Sequence, residues 1–151
     1  MTPVPPPLLA FAAGLAQQAL ARGAPSPSLA RRTVAGATSL AAMALAGSTA
    51  RMFRSSGTTI DPVNPGRATA LVTSGANAFT RNPMYVGLTG LLVANAVRRG
   101  SWAALVPVAG FVAVIDRWQI ASEEAALETN FGAEYDDYRR AVPRWLGPVR
   151  R

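Results

Sequence analysis

Lysine, histidine and cysteine are absent from this chain, and each absence removes a chemistry. There is no imidazole base, no thiol nucleophile, no zinc site built from soft ligands and no disulfide framework. Charge is scarce as well: 15% of the residues are charged and 50% are apolar, too greasy a balance for disorder. A length of 151 residues holds one domain, so a soluble multi-domain enzyme is excluded. Any catalysis must run on carboxylates, arginine, tyrosine, amides or a borrowed cofactor, and no metal site is expected.

The little charge there is falls unevenly. The Lys+Arg total of 15 is all arginine, against 8 acidic residues, for a net charge of +7. None precedes Arg22, and three more uncharged runs follow, Thr33 to Ala50, Asn82 to Val97 and Gly100 to Ile115. A membrane-spanning helix needs about 20 residues, roughly 17 at the least, so the first two runs fit and the last two need flanking residues. Four such runs in so short a chain leave little polar surface for a soluble protein. The N-terminal Met1-Thr2-Pro3-Val4-Pro5-Pro6-Pro7 lacks the basic region of a cleavable signal peptide, so the first apolar stretch is expected to be retained.

The expected fold is all-α, a polytopic membrane helical bundle of about four transmembrane helices plus a C-terminal amphipathic helix, forming one domain over residues 1–151. Helices are predicted at Pro7–Ala21, Thr33–Phe53, Pro83–Val97 and Ser101–Ile120. Residues 1–53 then carry the first two membrane helices, 54–82 a cytoplasmic loop, 83–120 a helical hairpin and 121–151 a cytoplasmic interfacial tail. Two short turns, Arg22 to Arg32 and Arg98-Arg99-Gly100, lie on the opposite side from the long loop and tail. Five arginines occupy the turns (Arg22, Arg31, Arg32, Arg98, Arg99) and ten the loop and tail side. By the positive-inside rule, loop, tail and both termini are cytoplasmic, as in a multi-pass protein of a bacterial inner membrane.

The tail, Ser122 to Val142, predicts one more helix. Glu124, Leu127, Phe131, Tyr135, Tyr138 and Val142 recur at steps of three and four, on the face opposite Glu128, Asp136, Asp137 and Arg139. Such a helix suits the membrane interface, ended by Pro143 and anchored by Trp145. Nucleic acid is not an expected partner, because the arginines flank apolar runs and are not interleaved with stacking aromatics. Membrane lipids, through their anionic headgroups, are.

Two segments could carry chemistry. The first is Leu71-Val72-Thr73-Ser74-Gly75, followed after five residues by Arg81-Asn82-Pro83-Met84-Tyr85-Val86-Gly87. It reads as a loop feeding a helix, with Asn82 suited to the N-cap and Pro83 to the first helical position. The N–H groups of such a start, with Arg81 beside them, attract an anion. The second is Glu123-Glu124, preceded by Asp116 and Arg117. Acidic residues in a first turn are ordinary dipole partners, but Glu124 shares a face with Phe131 and Tyr135, where a carboxylate needs a positive partner.

Taken together, the two segments and the tail resemble the isoprenylcysteine carboxyl methyltransferase family and the similar membrane phospholipid methyltransferases. The resemblance runs from about Thr69 to Trp145 and includes the spacing from Glu123-Glu124 through Phe131-Gly132, Glu134-Tyr135 and Tyr138 to Val142-Pro143-Arg144-Trp145. It implies a small helical membrane enzyme that binds S-adenosylmethionine without a Rossmann sheet. Carried over by position, it implies cofactor contacts at Thr69, Ala70, Leu71, Val72, Asn77, Asn82, Pro83, Met84 and Tyr85, beside Arg81. Acceptor-side or catalytic roles fall near Glu123 and Glu124. Asn82 stands where the family usually has histidine and Asn77 where an aromatic is common, while Gln119 stands where its prenylcysteine enzymes have arginine, with Arg117 two residues away.

The expected activity is therefore S-adenosylmethionine-dependent methyl transfer to a lipid-borne or membrane-embedded acceptor, carboxylate or amine, at the cytoplasmic face. Glu124 is expected to face the pocket, and Arg117 or Arg144 to orient an anionic acceptor. A carboxylate acceptor is already ionised and needs no base, whereas an amine or hydroxyl must pass a proton to Glu123 or Glu124. The competing reading is a non-catalytic membrane scaffold or partner subunit that retains the fold. Nothing in the pattern sets the oligomeric state.

Overall fold

Proline and glycine set most of the helix ends. Pro6 and Pro83 stand in the first turns of their helices, where a missing N–H costs no hydrogen bond, and Gly100 (φ 63°) and Gly132 (φ 50°) take positive φ where helices stop. The computed structural model describes residues 4–55 and 70–149. Among these there is helix and no strand: α1 (Pro6–Leu20), α2 (Leu29–Ser55), α3 (Pro83–Arg99), α4 (Val106–Val114), α5 (Ala121–Phe131) and α6 (Ala133–Ala141). Short 3-10 turns at Gly75–Ala78 and Trp102–Leu105 precede α3 and α4, and a π-helical stretch, Ile115–Ile120, joins α4 to α5.

The helix boundaries differ from expectation in physically clear ways. α2 begins four residues early because the Ser28 hydroxyl accepts from the Arg31 N–H at 3.3 Å, and flanking arginines do not stop a helix. The fourth expected helix does not end at Ile120 but forms a longer rod, Trp102–Phe131. It runs on through the π stretch into α5, since neither Asp116 nor the glutamates break a helix and the first residue that does is Gly132. The tail is thus two helices, α5 collinear with the fourth rod and α6 turned away at Gly132, not one helix from Ser122 to Val142.

Four transmembrane helices are more than length and hydropathy support. Leu29–Met52 and Trp102–Phe131 are long and apolar enough to cross a membrane, with mean hydropathies of 1.2 and 1.4. With 15 and 17 residues, α1 and α3 reach only about 22 and 26 Å, short of the roughly 30 Å hydrocarbon core.

α2 and α3 pack antiparallel through small residues. A Cβ on Gly87 would lie 2.9 Å from the Ala42 carbonyl oxygen, and one on Gly90 would lie 3.0 Å from the Ala42 Cβ, so the backbones meet as closely as side chains permit. Gly36 and Gly47 of α2 face open space instead. The main core joins Tyr85, Leu92 and Ala96 of α3 to Ala104, Val108, Phe111, Ile115 and Ile120 of the fourth rod, with Leu9, Ala10 and Ala13 of α1 against it. Inside this region the fully buried Gln17 donates to the carbonyls of Leu92 (2.8 Å) and Ala104 (2.9 Å) and accepts from Asn95 (2.7 Å), which satisfies its amide. The tail stripe builds a second, smaller core. Tyr135, Tyr138 and Val142 are buried against Leu71, Leu127, Phe131 and Ala141, so these aromatics pack inward on the loop.

Candidate active site

α6 stops before Pro143, whose ring cannot continue the helix, and the non-helical Val142–Trp145 segment needs donors for its carbonyls. The segment leading into α3 supplies them. The Arg81 N–H donates to the Pro143 carbonyl (2.9 Å), while the Thr80 hydroxyl (3.1 Å) and the Asn82 amide (2.9 Å) donate to that of Arg144. Asn82 holds the N-cap position of α3 but does not cap it through its side chain. Loop and tail are thereby sewn together at the start of α3.

One of the paired glutamates, Glu124, meets this seam. Arg81 Nη2 donates to Glu124 Oε1 at 2.7 Å, and Arg144 donates through Nε to Oε1 (3.1 Å) and through Nη2 to Oε2. Arg144 Nη1 also reaches Asp116 Oδ1 (3.3 Å), which accepts from Trp145 Nε1 at 2.7 Å. One carboxylate thus bridges two guanidiniums. The side chains of Arg81 and Glu124 are only 8% and 13% exposed, so this pair works at low dielectric. The hydrogen bond to Glu124 is the leading cause that holds the Arg144 pKa above its ordinary value.

Glu123 has a different environment. It accepts from the Tyr85 hydroxyl and from Gln119 Nε2 (2.8 Å), both neutral donors, and takes part in no ion pair among the described residues. Beneath the seam, the buried Asn77 gives its carbonyl to the Tyr138 hydroxyl at 2.7 Å. Two buried polar atoms here lack a partner among the described residues, the acceptor Asn77 Oδ1 and the donor Arg81 Nε. Burial pushes the Tyr135 and Tyr138 phenols up to about 12.

Of the residues expected from sequence, Arg81, Asn82, Glu124 and Arg144 are linked in one network, Tyr85 and Glu123 are paired apart from it with Gln119, and Asn77 bonds to Tyr138. Pro83 is buried and Met84 half-buried in the first turn of α3; Val72 is buried, and Ala70 and Leu71 are half-buried in the loop. Thr69 lies outside the described residues. Arg117 is not brought in: it is exposed and shares none of these ion pairs. Sequence reasoning missed Thr80 and the roles of Asp116, Trp145 and Tyr138. The one usable signal was Asp116, a carboxylate closing an apolar run. Its indole partner lies 29 positions on, and Trp145 packs against the main core as well. No group of three potential metal ligands occurs among the described residues.

A 63-residue uncharacterized protein of Haemophilus influenzae is 43% identical over its full length, which covers 42% of this chain. No solved structure matches. The profile of the phospholipid methyltransferase family matches residues 30–134, a stretch that holds α2, α3, the fourth rod and the paired glutamates, and the chain belongs to that family.

Proposed function

We propose that this chain is an S-adenosylmethionine-dependent methyltransferase acting on a lipid-borne amine at the cytoplasmic face of the membrane. The observation that carries the acceptor side is Glu123, a carboxylate held by two neutral donors and no arginine. A second anion placed there would be repelled, whereas an ammonium would be attracted and would find a receiver for its proton.

The orphaned atoms fit the cofactor. An amino-acid end carries an ammonium, which suits Asn77 Oδ1, and a carboxylate, which suits Arg81 Nε. Thr69, Ala70, Leu71, Val72, Asn77, Arg81, Asn82, Pro83, Met84 and Tyr85 are the residues that would hold it. When bound, S-adenosylmethionine supplies an electrophilic methyl group on a positively charged sulfur. The protein's share is alignment and exclusion of water. Tyr85 and Gln119 orient the Glu123 carboxylate, which accepts the proton that the amine must lose. Glu124 is committed to Arg81 and Arg144, so it serves as the clamp that holds loop to tail and not as the base. Arg144 is a positioning residue in the same clamp, and Arg117 takes no part.

The excess of arginines on the loop and tail side supports an orientation with those segments in the cytoplasm of a bacterial cell, and with four crossings both termini lie there too. The test is transfer of a labelled methyl group from S-adenosylmethionine to a total lipid extract. Glu123→Gln lowers kcat by about 10²- to 10⁴-fold with KM little changed, the usual weight of a general base. Undiminished transfer removes Glu123 from the reaction. A second reading, the non-catalytic scaffold or partner subunit, rests on Asn82, whose amide is committed to the Arg144 carbonyl. It requires that the wild type bind no S-adenosylmethionine and label no lipid.

A further inference from the structure

The end of the molecule away from the glutamates carries charge of one sign. Gly100, after α3, lies against the start of α2: a Cβ added to it would clash with the Arg31 guanidinium. Arg99 and Arg98 therefore share this end with Arg31, and Arg32 and Arg22 flank it in the chain. Arg98 donates to Asn95 Oδ1 at 3.0 Å, which ties it to the buried Gln17 network, and Arg99 Nε is buried without a partner. None of these arginines makes an ion pair among the described residues. Among the described residues, every acidic one lies at or beyond Asp116, about 21 Å along the rod from Trp102. Trp102, at this same end, is 87% exposed, the placement of an interfacial aromatic.

We infer that Arg31, Arg98 and Arg99 form a binding surface for anionic lipid phosphates in the leaflet opposite the paired glutamates. The surface rests on the reading of the chain as membrane-spanning, but not on methyl transfer. Guanidiniums that lack internal counter-charges take them from headgroups, and at a membrane surface each adds to the attraction.

The test uses the full chain in nanodiscs of phosphatidylcholine and phosphatidylglycerol, with retained lipids counted by native mass spectrometry. Phosphatidylglycerol is enriched on the wild type. The triple variant Arg31→Gln, Arg98→Gln, Arg99→Gln loses that enrichment by roughly fivefold or more, and Arg139→Gln with Arg140→Gln on α6 keeps it. Equal enrichment in the triple variant, equal loss in the α6 variant, or loss of bound lipid to millimolar inorganic phosphate overturns the assignment. Should the triple variant not fold, wild type in about 1 M salt must lose the preference, because the screening length there is about 3 Å, and a preference that persists overturns it. Methyl transfer to saturating lipid acceptor stays unchanged in the triple variant, so the fate of this surface and that of the proposed enzyme are read separately.

Discussion

Glu123 and Glu124 are chain neighbours with different partners: Glu124 sits between Arg81 and Arg144, and Glu123 between a phenol and an amide. Helix geometry explains this, because adjacent residues point about 100° apart and only one can face the loop–tail seam. Removing the bridging carboxylate leaves two guanidiniums facing each other in a poorly hydrated place. Glu124→Gln should therefore destabilise the fold by roughly 3 kcal/mol in chemical denaturation, the usual cost of breaking a buried pair, and a change below about 1 kcal/mol would mean that the bridge is not formed. The tyrosines of the small core make a second residue-scale case. Burial raises Tyr135 and Tyr138 to about 12 from an ordinary 10, so the fold favours the neutral phenols. Their contribution to stability is fully present below pH 10 and is lost as pH rises through about 12. A spectrophotometric titration should show these phenolates forming about two pH units later in folded than in unfolded protein; coincident curves would contradict the inward packing.

At the scale of elements, the contact of α2 with α3 depends on what is missing from the side chains. Gly87 leaves no room for a Cβ beside the Ala42 carbonyl, so Gly87→Leu should cost about 1–3 kcal/mol through a forced backbone shift. Gly36, which faces open space on α2, should accept alanine with unchanged or slightly higher stability, as thermal unfolding in detergent would show. Composition could not separate these glycines, since small residues occur on all faces of both helices. The element boundaries followed local chemistry more closely. Pro83 and Gly100 frame α3 as their backbone preferences require, and α3 begins where sequence placed it. The rod that includes α4 and α5 was legible only in part, because its apolar run ends at Ile115 while its helix continues to Phe131. Side-chain polarity reports the medium around a helix, not where its hydrogen bonds stop.

For the whole molecule, the absence of native cysteine makes topology directly measurable. Ser26→Cys in the first short turn and Gly147→Cys in the tail should react with a membrane-impermeant maleimide from opposite sides of sealed vesicles, Gly147→Cys from the cytoplasmic side. Labelling of both from one side would rule out the arrangement in which the two short turns face away from the loop and tail. The sequence by itself determined the helical, membrane-suited character of the chain and the starts of α1 and α3. These follow from apolar periodicity, proline and glycine placement, and residues close together in the chain. Only tertiary structure decided that Glu124 bridges Arg81 and Arg144 while Glu123 is left to neutral donors, that Arg117 shares none of these ion pairs, that the tail aromatics pack on Leu71, and that Asp116 meets Trp145. The Glu124 and Asp116 contacts join side chains in or just after the π turn to partners 20 to 43 positions away, and pairing between such distant residues leaves no trace in local pattern.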